Sequence, residues 1–323
     1  MNSRPLGTRS GIEVSEVGLG LWAVPGSEWG PGEDRASLDA IEAALDAGVT
    51  FFDTADIYGG GHSEELLGQA MGGRRDRFVV ATKIGWVNFD HEARRSQYDT
   101  VDKLIAGVEE SLRRLGTDRV EAIQCHIGYL EPNTAVFIEG FRKLKEQGKV
   151  GAWGVSTSDY SLLERFNVDG DCDLLQIDYS ILNRTAEADI LPYCPANGIG
   201  VIVRGPLAMG LLADKYSASD TFPEGDFRRA WIEDPAQNEQ FLEDLGVVER
   251  LRAVVPAGQS MSQFALRFVR SHPALSTVIP GARDRAQSEA NSSAAVLPLL
   301  TSEEREAVDR LVPPGGGRKI WPA

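Results

Sequence analysis

Cysteine is scarce in this chain. Cys125, Cys172 and Cys194 are the three among 323 residues, too few and too scattered for a disulfide framework. Histidine is nearly as rare, at four, and no Cys/His cluster has the spacing of a zinc site, so no metal is expected. Basic residues are outnumbered 33 to 48, leaving a formal charge of −15. That balance argues against a nucleic-acid partner and against an anionic membrane surface. It leaves room for a local basic pocket that takes a phosphorylated ligand. No apolar run is long enough to span a bilayer, and Met1 to Gly11 lacks the apolar core of a signal peptide. The cytoplasm is the expected compartment, and a small molecule the expected partner.

What is present is an alternation. Hydrophobic content of 42% and charged content of 25% are ordinary for a folded domain. RPLGTRSGIEVS (4–15) reads as a β-hairpin around a TRSG turn. Strands are expected at 17–22, 50–53, 78–82, 120–125, 151–155, 174–178, 200–204 and 276–279. Helices fall between them at 33–47, 63–72, 99–115, 134–147, 158–166 and 186–197, with two more at 282–294 and 301–311. Eight βα units imply an α/β fold with a parallel sheet closed into a (β/α)8 TIM barrel, one domain over 1–323. Residues 205–258 are too long for a plain loop after the seventh strand and mix TFPEGDF-type loop chemistry with helical patterning, so they form an insertion near the site. The tail, PPGGGRKIWPA, reads as a Pro/Gly linker. Gly18-x-Gly20-x-x-Ala23 imitates a dinucleotide-binding glycine motif. That motif needs a helix directly behind it, and Pro25, Gly26, Pro31 and Gly32 stand there instead.

VTFFDTADIYGGGHSEELLG (49–68) carries the first chemical signal. Asp53 closes an apolar strand, where a carboxylate needs a positive or hydrogen-bonding partner. Tyr58 and three glycines follow, and Ser63 and Glu64 read as the N-cap and first residue of the next helix. Taken alone, this stretch favours a structural reading, a satisfied Asp beside a loop tyrosine. The neighbouring strands change that. FVVATK ends in Lys83 and VEAIQCH in His126, while adjacent strands lie about 4.8 Å apart. Active sites of such barrels sit at the C-terminal strand ends, so Asp53, Tyr58, Lys83 and His126 converge. Lys83 and Asp53 make sense buried only as a pair. A lysine ammonium beside Tyr58 favours its phenolate and is expected to lower its pKa. Such a set passes a proton to a carbonyl oxygen. No side chain donates hydride, so a cofactor is implied. Cys125 precedes His126 and points to the other face of its strand, against a Cys-His nucleophile. Trp22 and Trp86, on the first and third rims, are either packing or walls of a substrate pocket. His62, His91 and His272 carry no assigned role.

The motifs FFDTADIYG, ATKIGW, SLRRLGTDR, GVS, QIDYSILNR, RGPLAMGLL and IPGAR appear in order from the RPLG opening to about residue 283. On them the chain resembles the aldo-keto reductases, in the branch with an RGPLAMGLL-type loop. The resemblance implies Tyr58 as proton donor, Lys83 and Asp53 as its tuning pair and His126 as the group that orients the carbonyl. It implies nicotinamide contacts at Ser156 and Gln176, with Thr157 in place of the usual asparagine. Arg204 stands where many members stack an aromatic ring, and a guanidinium plane also stacks. Leu207, Gly210 and Lys215 match the loop around the pyrophosphate. Gly281, Arg283, Gln287 and Asn291 match the adenosine end, with Arg283 placed for a ribose 2′-phosphate and Ala290 where a glutamate is frequent. Ile127-Gly128 after His126 departs from the common His-x-Pro. The implied activity is NADPH-dependent reduction of aldehydes and ketones, with NADH the lesser cofactor. The alternatives are a sugar or polyol dehydrogenase running oxidatively and a slow, cofactor-sensing regulatory subunit.

Overall fold

The structure is a computed structural model and describes residues 1–24, 32–86, 98–126 and 133–320. An N-terminal hairpin, β1 (Ser3–Pro5) and β2 (Glu13–Ser15), pairs antiparallel with Arg4 opposite Val14. Then β3 (Leu19–Gly20), α1 (Asp34–Asp46), β4 (Phe51–Asp53), α2 (His62–Met71), β5 (Val79–Ile84), α3 (Val101–Leu115), β6 (Val120–Cys125), α4 (Thr134–Glu146), β7 (Val150–Ser156), α5 (Tyr160–Phe166), β8 (Leu174–Asp178), α6 (Ile190–Ala196) and β9 (Gly200–Arg204) alternate along the chain. The remainder holds α7 (Ala230–Glu233), α8 (Pro235–Arg252), α9 (Met261–Arg270), β10 (Thr277–Val278), α10 (Arg285–Ser293) and α11 (Ser302–Leu311).

Strands β3 to β10 form one parallel sheet in chain order. Parallel bridges Val17–Val278 and Gly20–Gly281 join its two edges, so the sheet closes into the expected (β/α)8 barrel. The two glycines of the decoy motif serve that closure. A Cβ on Gly18 would stand 2.8 Å from Phe51 O and one on Gly20 3.0 Å from Ile279 O. Their bareness lets the first strand approach its neighbours.

Two apolar layers follow from the period-two alternation of strands. Outward residues such as Phe52, Val80, Ile123, Val155 and Val203 pack against the helices. Inward residues Phe51, Ala81, Ala122, Ala152, Leu174 and Ile202 fill the barrel, joined by Leu6 and Val14 from the hairpin. Three alanines in that inner layer leave room for the hairpin side chains to plug the barrel.

Several boundaries differ from the sequence reading. The first strand is two residues long, because closure through single bridges replaces a longer ladder. Ser63 does not cap α2; the helix starts at His62 after Gly61, and Ser63 Oγ instead bonds Thr54 Oγ1 (2.7 Å) and Leu21 O (3.1 Å). The span after β9 holds the expected insertion, and behind it lies a helix that the reading did not assign, α9, opened by a capping box of Ser260 and Gln263. The tail is not a loose linker. Arg184 N donates to Gly316 O, Arg318 N to Leu182 O and Lys319 Nζ to Ser158 O, so it is stitched over the loops behind β7 and β8. Rim residues 25–31, 87–97 and 127–132, His91 and Trp321 among the sequence expectations, lie outside the described residues.

Candidate active site

Alternation inside the barrel decides which side chains meet. Asp53 ends β4, Lys83 lies near the end of β5, His126 follows β6, and Ser156, Gln176 and Arg204 stand at or near the ends of β7, β8 and β9. All belong to the inward set, Asp53, Lys83, Gln176 and Arg204 two residues on from the apolar layer and His126 and Ser156 four. Cys125 points outward and is buried among the helices. Tyr58 arrives from the loop above β4. Gly59, Gly60 and Gly61 take φ values of 58°, 66° and 99°, a left-handed run that folds the loop tightly back into α2.

Lys83 is the hub. Its side chain is fully buried, and Nζ donates to Asp53 Oδ2 (2.5 Å), Thr54 O (2.9 Å) and Tyr58 OH (3.1 Å). All three ammonium hydrogens are thereby used. Asp53 Oδ1 accepts from Gln176 Nε2 at 2.8 Å and Gln124 Nε2 at 3.3 Å. The Tyr58 ring meets the His126 ring edge-on, centroids 5.7 Å apart, and Trp86 meets His126 in the same way at 5.9 Å. Trp22 lies 6.3 Å from Tyr58 and stacks on Phe227 at 5.7 Å. The four expected catalytic residues are together, walled by both tryptophans.

The electrostatics correct one expectation. Burial pushes the Tyr58 hydroxyl above its ordinary range, and the pull of Lys83 in the other direction does not overcome it. Desolving the phenolate costs more than one shared ammonium returns, since Asp53 already claims that charge. Tyr58 therefore keeps its proton at neutral pH. Burial also works against the Lys83 ammonium, but Asp53 and Tyr58 outweigh it and hold its value up. His126 is held well below the usual imidazole range by burial, then by Lys83 and Arg204. It is neutral at pH 7 and has one ring N–H to give.

A cavity of about 360 Å³ opens beside this cluster. Asp53, Tyr58, His126, Trp22 and Trp86 line it, Lys83 lying just behind. So do Ser156, Gln176 and Arg204; Leu207, Gly210 and Lys215; and Gly281, Arg283, Gln287 and Asn291. The side chains matched to the two halves of a dinucleotide thus share one cleft. Arg283 precedes Asp284, the N-cap of α10, and its N–H donates to Gln287 Oε1 (3.2 Å). Next to it, Asp284 accepts from Gln287, and Glu289 pairs with Arg285. Thr157 Oγ1 accepts from Asp159 N at 3.0 Å, turning the chain after β7. Ala290 lines the cavity, so that stretch of wall carries no carboxylate.

Sequence reasoning missed Gln124, and it missed Tyr216, Arg228 and Ser262, which line the cavity from the insertion and the start of α9. Arg228 is clamped by Asp226 (Nε–Oδ1 2.9 Å, Nη2–Oδ2 2.5 Å) and donates to Tyr216 OH. The Asp226-x-Arg228 spacing was the available signal. Among the described residues, no group of three or more His, Cys, Asp or Glu is arranged to hold a metal. No helix among them is long and apolar enough to cross a membrane.

An acid–lysine–tyrosine–histidine cluster at the mouth of a closed (β/α)8 barrel, beside a cleft with cationic walls, defines a class of oxidoreductase. The sequence model of the aldo/keto reductase family matches residues 16–313, and the chain belongs to that family. It is 33% identical over 311 residues, 92% of this chain and 90% of the other, to aldo-keto reductase YhdN of Bacillus subtilis. It is 30% identical, covering 94% of each chain, to a probable voltage-gated potassium channel subunit beta of Oryza sativa. Among solved structures it resembles the glycerol dehydrogenase AKR11B4 of Gluconobacter oxydans, with TM-score 0.82, 31% identity and coverage of 99% and 98%. It also resembles an aldo-keto reductase of Klebsiella pneumoniae in complex with NADPH, with TM-score 0.74, 25% identity and coverage of 97% and 96%.

Proposed function

We propose that the protein is an NADPH-dependent reductase of aldehydes and ketones. The observation that carries this reading is Lys83 bonded at once to Asp53 and to the Tyr58 hydroxyl. The cleft fits a nicotinamide dinucleotide phosphate: Ser156 and Gln176 offer polar groups beside the tetrad, and Lys215 and Arg283 offer cations further along. When bound, the cofactor supplies the hydride. Tyr58 holds the proton that the new alkoxide oxygen takes. Lys83 carries the positive charge that stabilises the phenolate left behind, and Asp53 keeps Lys83 in place and charged. His126, neutral, donates to the carbonyl oxygen and orients it. Trp22 and Trp86 form the apolar walls that exclude water around it.

The raised Tyr58 value favours reduction near neutral pH, since the phenol is then already protonated. Oxidation of an alcohol needs the phenolate and should gain as pH rises. A dehydrogenase reading is kept as the second, because of the likeness to a glycerol dehydrogenase. The regulatory reading draws on the channel-subunit relative, and the intact cluster speaks for turnover instead.

A screen of aldehydes, ketones, sugars and polyols, in both directions and with both nicotinamide cofactors, tests the proposal. NADPH oxidation by a carbonyl substrate is expected, and Tyr58→Phe should lower its turnover at least ~10²-fold, the low end for general acid catalysis. Turnover confined to alcohols moves the assignment to the dehydrogenase. Undiminished turnover in Tyr58→Phe removes that hydroxyl from the mechanism.

A further inference from the structure

We propose that Gln124 is a positioning residue of this site, acting on Tyr58 through Asp53 and Lys83. The inference rests on the functional reading above only for its kinetic readout. Gln124 lies on β6 opposite Lys83 of β5 and Gly154 of β7, and its side chain is fully buried. Its Nε2 donates to Asp53 Oδ1 at 3.3 Å, while its Oε1 is sealed from water with no hydrogen-bond partner. A stranded amide oxygen is costly, and an apolar side chain of the same size would carry none. Turning the amide over would set Oε1 against Asp53 Oδ1, two acceptors face to face. The single contact to Asp53 is what the amide supplies.

That contact has a definite consequence. Two amides, from Gln124 and Gln176, aim their donors at Oδ1 of Asp53, and this fixes the carboxylate so that Oδ2 faces Lys83 Nζ. They also offset part of its charge in a place water does not reach. Gln176 lines the cavity and so has a second task; Gln124 lies outside that lining. Whatever Gln124 does for the chemistry therefore passes through Asp53. The sign follows. Asp53 pushes the Tyr58 hydroxyl toward its protonated form and Lys83 pulls it the other way. Losing one donor leaves Asp53 more negative, ties Lys83 more closely to it, and makes Tyr58 hold its proton more tightly.

Two variants separate positioning from packing. Gln124→Met keeps the shape and removes the donor. Gln124→Glu donates to Asp53 only while protonated. With NADPH and a carbonyl substrate that the parent turns over, Gln124→Met should lower kcat about tenfold, the size of one hydrogen bond to a charged group. KM should stay within about twofold, because the residue lies behind the tetrad. The limb of the pH–rate profile that Tyr58→Phe abolishes should move to higher pH. Gln124→Glu should show a loss of rate on raising the pH that the parent lacks. A packing role would change the melting temperature and leave both profiles in place, and that result overturns the proposal. The second readout needs no turnover: ultraviolet difference titration of the tyrosines, with Tyr58→Phe as the blank. Tyr58 ionisation in Gln124→Met should move upward, and an unmoved value also overturns the proposal. If the parent reduces no carbonyl, the functional reading fails by itself and the titration alone decides the role of Gln124.

Discussion

Replacing Lys83 by methionine removes the ammonium while keeping a stem of similar length. In the parent, Nζ meets Asp53, Thr54 O and Tyr58, and neither Lys83 nor Asp53 reaches solvent appreciably. Deleting one partner of a buried pair typically costs about 3–5 kcal/mol, because a charge is left uncompensated. Asp53 retains its bonds from Gln124 and Gln176, which places the expectation near the lower end, about 3 kcal/mol. Adding Asp53→Asn removes the stranded carboxylate and leaves an amide oxygen for the two glutamines to bond. Stability of the double variant should therefore return to within about 1 kcal/mol of the parent. Activity should not return. Without the ammonium, nothing in the cluster balances a Tyr58 phenolate, so both variants should lose at least ~10²-fold in turnover. Urea unfolding and steady-state NADPH oxidation on the same preparations give the two readouts. A single variant as stable as the parent would show that the pair is not charged in the folded protein. A double variant with parental turnover would remove the ammonium from the chemistry.

Arg283→Ala should weaken NADPH binding at least tenfold and leave NADH binding nearly untouched, since charged hydrogen bonds contribute ~1.5–3 kcal/mol each; fluorescence titration checks this, and equal weakening of both cofactors refutes it. Asp56 supplies a pH prediction. Its residue is half-buried, but Oδ1 is sealed from water, and burial and then Glu64 push the carboxyl up to about 7, against the pull of the Tyr98 hydroxyl and Arg114. A carboxyl whose folded value lies above its unfolded one stabilises fully below about pH 4 and loses that contribution as pH rises toward 7. The shift corresponds to at most roughly 4 kcal/mol. Asp56→Asn, neutral throughout, should flatten the fall of urea stability between about pH 4 and 7; a slope unchanged from the parent would show that Asp56 ionises normally in the fold.

The barrel and the polar cluster at its mouth were legible because strand alternation and strand order are local signals with long-range consequences. Each βα period put a strand beside the previous one, and each strand's last inward position then had to face the same mouth. What was not legible depended on enclosure. Lys83 beside Tyr58 reads, along the chain, as a lowered pKa, because the sequence shows neighbours and not how deeply the hydroxyl lies. Ser63 in front of two glutamates reads as a helix cap; in the fold its hydroxyl is drawn to Thr54 and Leu21 O across the loop. The glycines 18 and 20 read as a false nucleotide motif, and their reason is the approach of Phe51 and Ile279 at the seam.

Alternation in VEAIQCH placed Cys125 outward and His126 at the site, and the same step of two puts Gln124 on the inward face beside Asp53. A buried inward glutamine demands a partner as surely as a buried aspartate does. Ser260 and Gln263 spell a capping box at the head of α9, directly behind the long insertion. The insertion itself earns its length through contact: Met209, Gly210, Lys215, Tyr216 and Arg228 border the cavity, and Phe227 stacks on Trp22, which lies against Tyr58. Groups matched to cofactor phosphates and the ring that backs Trp22 are thus carried on one stretch of chain. A change in how residues 215–229 sit on the cleft would therefore be felt by both, and substrate preference in this protein should be sought there as much as at the barrel rim.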